Sequence, residues 1–380
     1  MNSKGRRARL VLDDGSEFEG RAFGRPRSAS GEVVFTTGMA GYPQSLTDPS
    51  YHGQILVATY PLMGNYGMPD DSVDSHGLKR HYESDRAWVS GLVVSEACAR
   101  PSHHASVATL SAWLDGQGVP GIEGIDTRAL TERLRSRGVM GGRILVEGEP
   151  EEPAAPGLGH EAEREARAAP GPIAGDEGAG GRLVYGRGGS PRIALVDCGV
   201  KNNILRCLLG RGAEVARLPW NGDLSGLEYD GILLSNGPGD PKAYARTIGT
   251  ARRALGADKP VFGVCLGAQI MALAAGADTY KLPYGHRGQN QPCVERGTGR
   301  CYITSQNHGY AVREESLPEA WESWFVNGND GTVEGIRSTA GPFQAVQFHP
   351  EGCPGPRDTE FLFDRFLDEV RRFASGRSAA

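Results

Sequence analysis

Apolar and polar residues are arranged differently in the first and last parts of this chain. Residues 10–12 and 18–23 form two strand-like runs around a turn at 13–15, which predicts a β-hairpin. Later in the first part, apolar residues recur with helical spacing over 106–117 and 127–137. The first part is therefore predicted to be a separate β-rich α+β domain.

Beyond residue 191, short apolar runs alternate with helical ones. The predicted strands are 193–196, 215–218, 232–234 and 261–264, and the predicted helices are 203–209, 243–255 and 361–373. Such alternation predicts an α/β fold, with a mostly parallel sheet flanked by helices on both faces. Open sheets of this kind bind their ligands beyond the carboxyl ends of the strands.

A segment rich in proline and glycine separates the two patterns, over residues 148–190. This composition cannot bury enough apolar surface to offset the entropy lost on ordering. Only residues 161–168 show a hint of helix. The sequence therefore predicts an N-terminal domain over 1–147, a Gly/Pro-rich linker over 148–190 and a C-terminal domain over 191–380.

Residues 263–267, Gly-Val-Cys-Leu-Gly, have the form of a nucleophile elbow with cysteine in place of serine. The preceding run predicts a buried strand, and residues 268–275 predict a helix. Small flanking residues permit a cramped backbone, and the positive end of the helix favours a thiolate. Cys265 is thus a candidate nucleophile for acyl transfer, with an ordinary core cysteine as the alternative.

A candidate base lies near the end of the chain, where a strand-like run ends in His349-Pro350-Glu351. His349 would accept the thiol proton and return it to a leaving amine, while Glu351 would orient the imidazole and stabilise its charged form. Alone, this histidine would be an ordinary surface group. Together with the elbow it indicates a Cys, His, Glu arrangement.

Two loops add candidate binding groups. Residues 236–241 follow a predicted strand and are rich in glycine and proline, so their N–H groups could bind a substrate carbonyl or an oxyanion. Residues 306–310, Gln-Asn-His-Gly-Tyr, are polar and follow another strand-like run. Each loop could equally be an ordinary turn.

Composition narrows the class of protein. Lys plus Arg number 41 against 46 for Asp plus Glu, a net charge of −5, so no basic surplus favours nucleic acid. We expect neither a membrane span nor a signal peptide, and hence a cytoplasmic enzyme.

The seven cysteines form no Cys-x-x-Cys pair, so no metal site is expected. The chain lacks a phosphate-binding Gly-x-x-x-x-Gly-Lys-Ser/Thr loop, which assigns any ATP chemistry to a partner.

Four motifs together resemble the class I, triad-type glutamine amidotransferases. They stand at 235–241, 263–267, 306–310 and 349–351. Further segments resemble the small, glutamine-hydrolysing subunit of carbamoyl phosphate synthetase, namely 31–42, 46–51, 60–67, 121–131 and 194–204. The resemblance covers nearly the whole chain apart from the linker and the two tips.

The resemblance implies that the chain hydrolyses L-glutamine to glutamate and ammonia. The ammonia would pass to a large synthetase subunit, which uses ATP and bicarbonate to make carbamoyl phosphate for pyrimidine or arginine synthesis. ATP and a divalent metal are expected on that subunit and no cofactor in this chain. A heterodimer is implied, and higher oligomers of it are left open.

The resemblance also assigns site residues. Cys265, His349 and Glu351 take the catalytic roles. The glutamine-binding positions are Ser50, Gly237, Gly239, Leu266, Gln269, Asn307, Gly309 and Tyr310. One departure is Ala268, where many relatives have histidine, and we expect it to tune rather than abolish activity.

Two other functions remain open. One is an amidotransferase that serves another synthase, or a free-standing glutaminase with the same triad; the N-terminal domain disfavours both. The other is a regulatory subunit that binds the synthetase without hydrolysing glutamine, which the intact Cys265, His349 and Glu351 disfavour.

Overall fold

The chain forms two compact units, Met1–Ala162 and Glu163–Ala380, in a computed structural model. The structure describes residues 5–151, 182–257 and 259–378, without the side chains of 377 and 378. Most of the predicted linker, including the hint of helix at 161–168, lies outside the described residues.

The N-terminal unit is built around a closed barrel in the order β1-β2-β8-β6-β4-β3-β9. Its strands are β1 (Arg7–Leu12), β2 (Glu17–Gly24), β3 (Ala29–Thr36), β4 (Gln54–Ala58), β5 (Leu62–Met63), β6 (Gly91–Val93), β7 (Glu96–Ala97), β8 (Pro120–Glu123) and β9 (Met140–Val146). The short strands β5 and β7 pair separately. The predicted hairpin is present as β1 and β2, with Leu10 opposite Phe18.

Short helices accompany the barrel in the described part of this unit. They are α1 (Tyr42–Leu46), the 3-10 helix Pro49–Tyr51, α2 (Leu110–Gly116) and α3 (Thr127–Arg137). The predicted helix 127–137 is confirmed, whereas the one predicted over 106–117 begins only at Leu110, because Thr109 caps its start. The Asp126 side chain accepts a hydrogen bond from the Ala129 N–H at 2.9 Å, which satisfies one of the unpaired donors at the start of α3. Leu130 and Leu134 point from α3 into the core.

The C-terminal unit contains a ten-stranded sheet in the order β10-β12-β11-β13-β14-β19-β18-β16-β15-β17. Its strands are β10 (Leu183–Tyr185), β11 (Arg192–Asp197), β12 (Glu214–Pro219), β13 (Gly231–Leu234), β14 (Val261–Val264), β15 (Thr279–Glu295), β16 (Cys301–Val312), β17 (Trp321–Asn327), β18 (Val333–Ser338) and β19 (Phe343–Val346). Strand β10 falls inside the segment predicted as linker.

The prediction of a mostly parallel sheet is wrong for this sheet as a whole. Only the run β12-β11-β13-β14-β19 is parallel. β10 and the strands beyond β19 pair antiparallel. The reason is the length of the connections: β15 and β16 are joined by a short turn, which is too short for the crossover that parallel strands need.

Helices α4 (Asn202–Leu209), α5 (Ala245–Leu255), α6 (Leu266–Ala275) and α7 (Phe361–Ser378) complete the unit, with 3-10 helices at Pro241–Ala243 and Glu314–Ser316. Helix α6 follows β14 after one intervening residue. Seven of its first eight residues after Cys265 are buried, as expected of a largely apolar helix inside the core.

Candidate active site

Cys265 is the single residue between β14 and α6, and its backbone is strained. It has φ 54° and ψ −107°, a region that residues with a Cβ rarely occupy, and it is 2% exposed. The positions two residues before and after it, 263 and 267, have room only for glycine. A Cβ on Gly267 would lie 2.1 Å from the Leu234 carbonyl oxygen, and one on Gly263 would lie 2.7 Å from the Gly267 oxygen. The predicted elbow is confirmed, and these close approaches explain its two glycines.

Strand β19 runs beside β14 and brings residues 347–351 to Cys265. The Cys265 N–H donates to the Val346 oxygen at 2.8 Å. One residue further on, Gln347 Nε2 lies 3.6 Å from Cys265 Sγ, within hydrogen-bonding distance for sulfur. On another side, Sγ lies 3.7 Å from the Asn307 carbonyl oxygen. Parallel pairing thus places 347–351 next to residue 265 although the sequence separates them widely.

His349 and Glu351 form a buried pair, as predicted. His349 Nδ1 lies 2.6 Å from Glu351 Oε1, and both side chains are almost fully buried. The His349 backbone N–H donates to the Ser305 oxygen at 2.8 Å, which fixes the chain at this point. Among the described residues, His349 Nε2 has no hydrogen-bond partner, so this nitrogen remains available for proton transfer.

Lys201 is a member of this cluster that the sequence did not reveal. Its Nζ lies 2.9 Å from Glu351 Oε1 and 2.7 Å from the Gly352 oxygen, and the residue is 2% exposed. Asn203 Nδ2 donates to the Glu351 carbonyl oxygen at 2.6 Å. Both residues follow β11 and stand at the start of α4. Their segment, 194–204, carried part of the family resemblance, which was the one available signal.

The charged side chains of Lys201, His349 and Glu351 shift one another's pKa values. Burial raises the pKa of Glu351, but the positive charges of Lys201 and His349 lower it by more than burial raises it. The net change in this pKa is downward. Burial lowers the pKa of His349, but the Glu351 carboxylate raises it more strongly, and the net change is upward. Each member of the pair thus stabilises the charged form of the other.

The predicted glutamine-binding residues of the C-terminal unit gather around the elbow. Gln269, one turn into α6, donates from Nε2 to the Tyr310 carbonyl oxygen at 2.9 Å and to Gln347 Oε1 at 3.0 Å. Asn307 and Gly309 lie on β16 with Tyr310, and the Asn307 carbonyl contacts the nucleophile. The structure thus brings together α6, β16 and the end of β19.

The loop after β13 also packs against the start of α6. A Cβ on Gly237 would lie 2.9 Å from Leu266 Cδ2 and 2.2 Å from the Cys198 oxygen, so only glycine fits there. Gly239 has φ 85°, a conformation that glycine adopts without strain. Leu266 is the first residue of α6, and the first N–H groups of a helix have no acceptor within it. These groups are suited to hold a developing oxyanion.

The two remaining positions named from the sequence are Ser50 and Ala268. Ser50 belongs to the N-terminal unit, in the 3-10 helix Pro49–Tyr51, where its N–H donates to Asp48 Oδ1 at 2.9 Å. Its assignment to the glutamine site stays a prediction. Ala268 is buried on α6, and its N–H donates to the Cys265 oxygen at 3.0 Å, so its backbone helps to hold the elbow.

Two family models match this chain, one in each unit. Residues 194–369 match the model of the family "Glutamine amidotransferase class-I". The C-terminal unit is therefore a class-I glutamine amidotransferase domain. Residues 10–144 match that of "Carbamoyl-phosphate synthase small chain, CPSase domain", so the N-terminal unit contains a domain similar to that family.

Curated relatives match over nearly the whole chain. The multifunctional protein CAD of Squalus acanthias is 47% identical over 369 residues, which are 96% of this chain and 16% of that protein. The multifunctional protein ura1 of Schizosaccharomyces pombe is 45% identical, over 97% of this chain and 17% of that protein. The mitochondrial carbamoyl-phosphate synthase [ammonia] of Homo sapiens is 43% identical, over 98% and 24%.

The chain spans only 16% to 24% of the length of these three relatives. It corresponds to one part of these much longer proteins.

Among the residues that the structure describes, none of the helices combines the length and the apolar character that a membrane span requires.

Proposed function

We propose that this chain is the glutamine-hydrolysing component of a carbamoyl phosphate synthetase and delivers ammonia to a large synthetase chain or region. The observation that carries the proposal is the strained Cys265 elbow beside the buried His349–Glu351 pair. The small-chain domain at 10–144 supports the choice of carbamoyl phosphate over another product.

The first half of the proposed reaction forms a thioester. Cys265 Sγ, as thiolate, attacks the side-chain amide carbon of glutamine, and the carbonyl oxygen becomes an oxyanion that the N–H groups near Leu266 and Gly239 would bind. The His349 imidazolium gives its proton to the leaving nitrogen. The carbon–nitrogen bond breaks, ammonia leaves and a glutamyl thioester remains on Cys265.

The second half is hydrolysis. His349, now neutral, takes a proton from water, and the resulting hydroxide attacks the thioester carbon. The carbon–sulfur bond breaks, glutamate leaves, and the thiolate and imidazolium are restored. Glu351 stays ionised throughout and stabilises the charged imidazole, because it is itself paired with Lys201.

The partner would supply the remaining chemistry. A large synthetase chain or region would bind ATP and a divalent metal and combine the ammonia with bicarbonate. The carbamoyl phosphate would enter pyrimidine or arginine synthesis, and a cytoplasmic location is proposed. The proposal also includes higher oligomers of the pair formed by this chain and the large chain.

The test is a reconstitution of the full chain with its cognate large chain. Carbamoyl phosphate is measured with glutamine or with ammonium as the nitrogen source, for wild type and Cys265→Ser. We expect the variant to lose the glutamine-dependent rate by about 10³-fold or more and to keep the ammonium-dependent rate, since only the first requires the thiolate. Cys301→Ser, at an exposed cysteine on β16, is the matched control and should keep both rates.

Three results would contradict the proposal. Glutamine-dependent synthesis by Cys265→Ser above about a thousandth of wild type would remove the nucleophile assignment. Glutamate release by the isolated wild-type chain at roughly 1 to 10³ per second, unchanged by the large chain and its substrates, would instead indicate a free-standing glutaminase. Absence of glutamate release with an active large chain would indicate a component that does not hydrolyse glutamine.

A further inference from the structure

A second buried polar cluster lies on the antiparallel side of the C-terminal sheet. His286 on β15, His308 on β16 and Glu334 on β18 are 8%, 4% and 0% exposed. One ligand atom from each lies within 4.8 Å of the other two. These residues are distinct from Cys265, His349 and Glu351, and the proposed glutaminase chemistry does not use them.

Both histidines face the same carboxylate oxygen. His286 Nδ1 lies 3.1 Å and His308 Nε2 lies 3.4 Å from Glu334 Oε1. The two rings meet edge to face, with centroids 4.9 Å apart. Separations of this size between donor atoms are those of ligands around one ion at bond lengths of about 2.0–2.2 Å.

The other nitrogen of each ring already has an acceptor. His286 Nε2 lies 2.9 Å from Asp330 Oδ2, and His308 Nδ1 lies 2.9 Å from the Tyr310 carbonyl oxygen. Because carboxylates and carbonyls accept only, each of these nitrogens carries a hydrogen. In a neutral imidazole the inward nitrogen then bears a lone pair that points toward Glu334. Asn327 Nδ2 lies 3.4 Å from His286 Nδ1, at the long end of hydrogen-bonding distance, so these lone pairs facing a carboxylate still favour a positive species between them.

The surroundings provide a further donor atom. Gln306 Oε1 lies 3.4 Å from His308 Nε2. Within the described residues, Glu334 Oε2 is buried and lacks a hydrogen-bond partner, although such oxygens are normally paired. Two imidazole nitrogens, a carboxylate and an amide oxygen are therefore directed at one small volume.

We propose that His286, His308 and Glu334 bind one divalent transition-metal ion of the zinc type. Two imidazoles and a carboxylate are a common zinc donor set, whereas magnesium and calcium prefer oxygen ligands alone. The contacts to Asp330 and to the Tyr310 carbonyl are of the kind that fix the tautomer of metal-bound histidines. The alternative occupant is a proton held between His286 and Glu334.

The role of the ion would be structural. His308 lies between Asn307, whose carbonyl contacts the Cys265 sulfur, and Gly309 on β16. An ion at His308 would join β16 to β15 and β18 and fix the strand that borders the nucleophile. The sequence analysis expected no metal site because the chain has no Cys-x-x-Cys pair. It could not have found this cluster, since its three ligands lie on separate strands.

The test is metal binding by the full-length chain carrying Cys265→Ser, which removes the nucleophile thiol as a competing ligand. After chelator treatment, the protein is titrated with Co²⁺ and Zn²⁺, and Co²⁺ absorption and thermal unfolding are recorded. We expect one ion per chain, d–d bands without a thiolate charge-transfer band, and a higher Tm with Zn²⁺. Glu334→Gln should weaken binding at least about tenfold.

The control is the double variant His103→Gln/His104→Gln, which removes a pair of exposed histidines with ring centroids 4.2 Å apart and should leave binding unchanged. If Glu334→Gln does not fold, Asp330→Asn replaces it, since Asp330 is 43% exposed and touches His286 from outside; about tenfold weaker binding is expected. A Kd for Zn²⁺ weaker than about 1 mM in the chain carrying Cys265→Ser, or equal affinity in that chain with and without the cluster substitution, would overturn the proposal and leave the proton as the occupant.

Discussion

Lys201 and His349 share one oxygen of Glu351. The Lys201 ammonium lies 2.9 Å and His349 Nδ1 lies 2.6 Å from Oε1, and all three side chains are buried. A buried carboxylate between two cations stays ionised, and it keeps the imidazole charged and oriented. In the proposed reaction Lys201 would act on Cys265 through Glu351 and His349, as a positioning residue.

Replacing this lysine should reduce the stability of the protein. Lys201→Met removes one cation from a buried carboxylate, so we expect a loss of about 3–5 kcal/mol in the free energy of unfolding. The control Lys242→Met breaks the half-exposed pair with Asp278 and should cost about 0–1 kcal/mol. Denaturant unfolding of both variants decides the question. Equal losses would show that burial of the Glu351 pair has no special energetic role.

The elbow should tolerate no side chain at Gly267. Its added Cβ would lie 2.1 Å from the Leu234 backbone oxygen, so Gly267→Ala must displace the end of β13 or the start of α6. We expect strong destabilisation and loss of glutaminase activity. The matched control is Gly249→Ala inside α5, where the nearest atom would be 3.8 Å away; it should stabilise by about 0.5–1 kcal/mol. The opposite order of the two Tm changes would contradict the proposed steric requirement.

The side chain of Gln347 should tune the sulfur. Its Nε2 lies 3.6 Å from Cys265 Sγ, and its Oε1 accepts from Gln269. Gln347→Glu places a carboxylate there, which disfavours the thiolate, so alkylation of Cys265 by iodoacetamide should slow by roughly tenfold, equivalent to about 1.4 kcal/mol. Mass spectrometry of the Cys265 peptide separates this reaction from that of the exposed Cys301. Gln291→Glu on β15 is the control and should leave the rate unchanged.

The raised pKa of His349 predicts a defined pH dependence of stability. Burial lowers that pKa and Glu351 raises it, to about 10 from an ordinary 6.5, so the native state binds the proton more tightly than the unfolded state. The stabilisation is complete below pH 6.5 and is lost as the pH rises toward 10. The difference in free energy of unfolding between wild type and His349→Asn should shrink over this range.

The same comparison in a Glu351→Gln background supplies the control, because it removes the charge that raises the pKa of His349. In that background, the difference in free energy of unfolding caused by His349→Asn should depend less on pH. An unchanged slope would show that another group causes the shift.

Local sequence predicted much of the catalytic cluster. The glycines on either side of Cys265, the strand before it and the helix after it are neighbours in the chain, so their joint conformation follows from local sterics and propensity. The same holds for the cap at Asp126 and the hairpin of β1 and β2, which depend on a few adjacent residues. His349 and Glu351 are likewise close enough in sequence to be considered as a pair.

Contacts between distant segments were not accessible in the same way. Lys201 lies far from Glu351 in the chain, and an isolated lysine after a strand does not indicate which carboxylate it will meet. The antiparallel half of the sheet was missed because strand direction depends on connection length and partner choice, which alternation of apolar residues does not encode.

The sequence by itself thus determined the elbow around Cys265, the pairing of His349 with Glu351 and the resemblance to two families, because each depends on short motifs. Only the tertiary structure decided how these motifs combine. Parallel pairing of β14 with β19 brings Gln347 to Cys265, the start of α4 brings Lys201 to Glu351, and β15, β16 and β18 bring His286, His308 and Glu334 together. Those encounters depend on strand order and register, which are set by burial of the whole core rather than by any local segment.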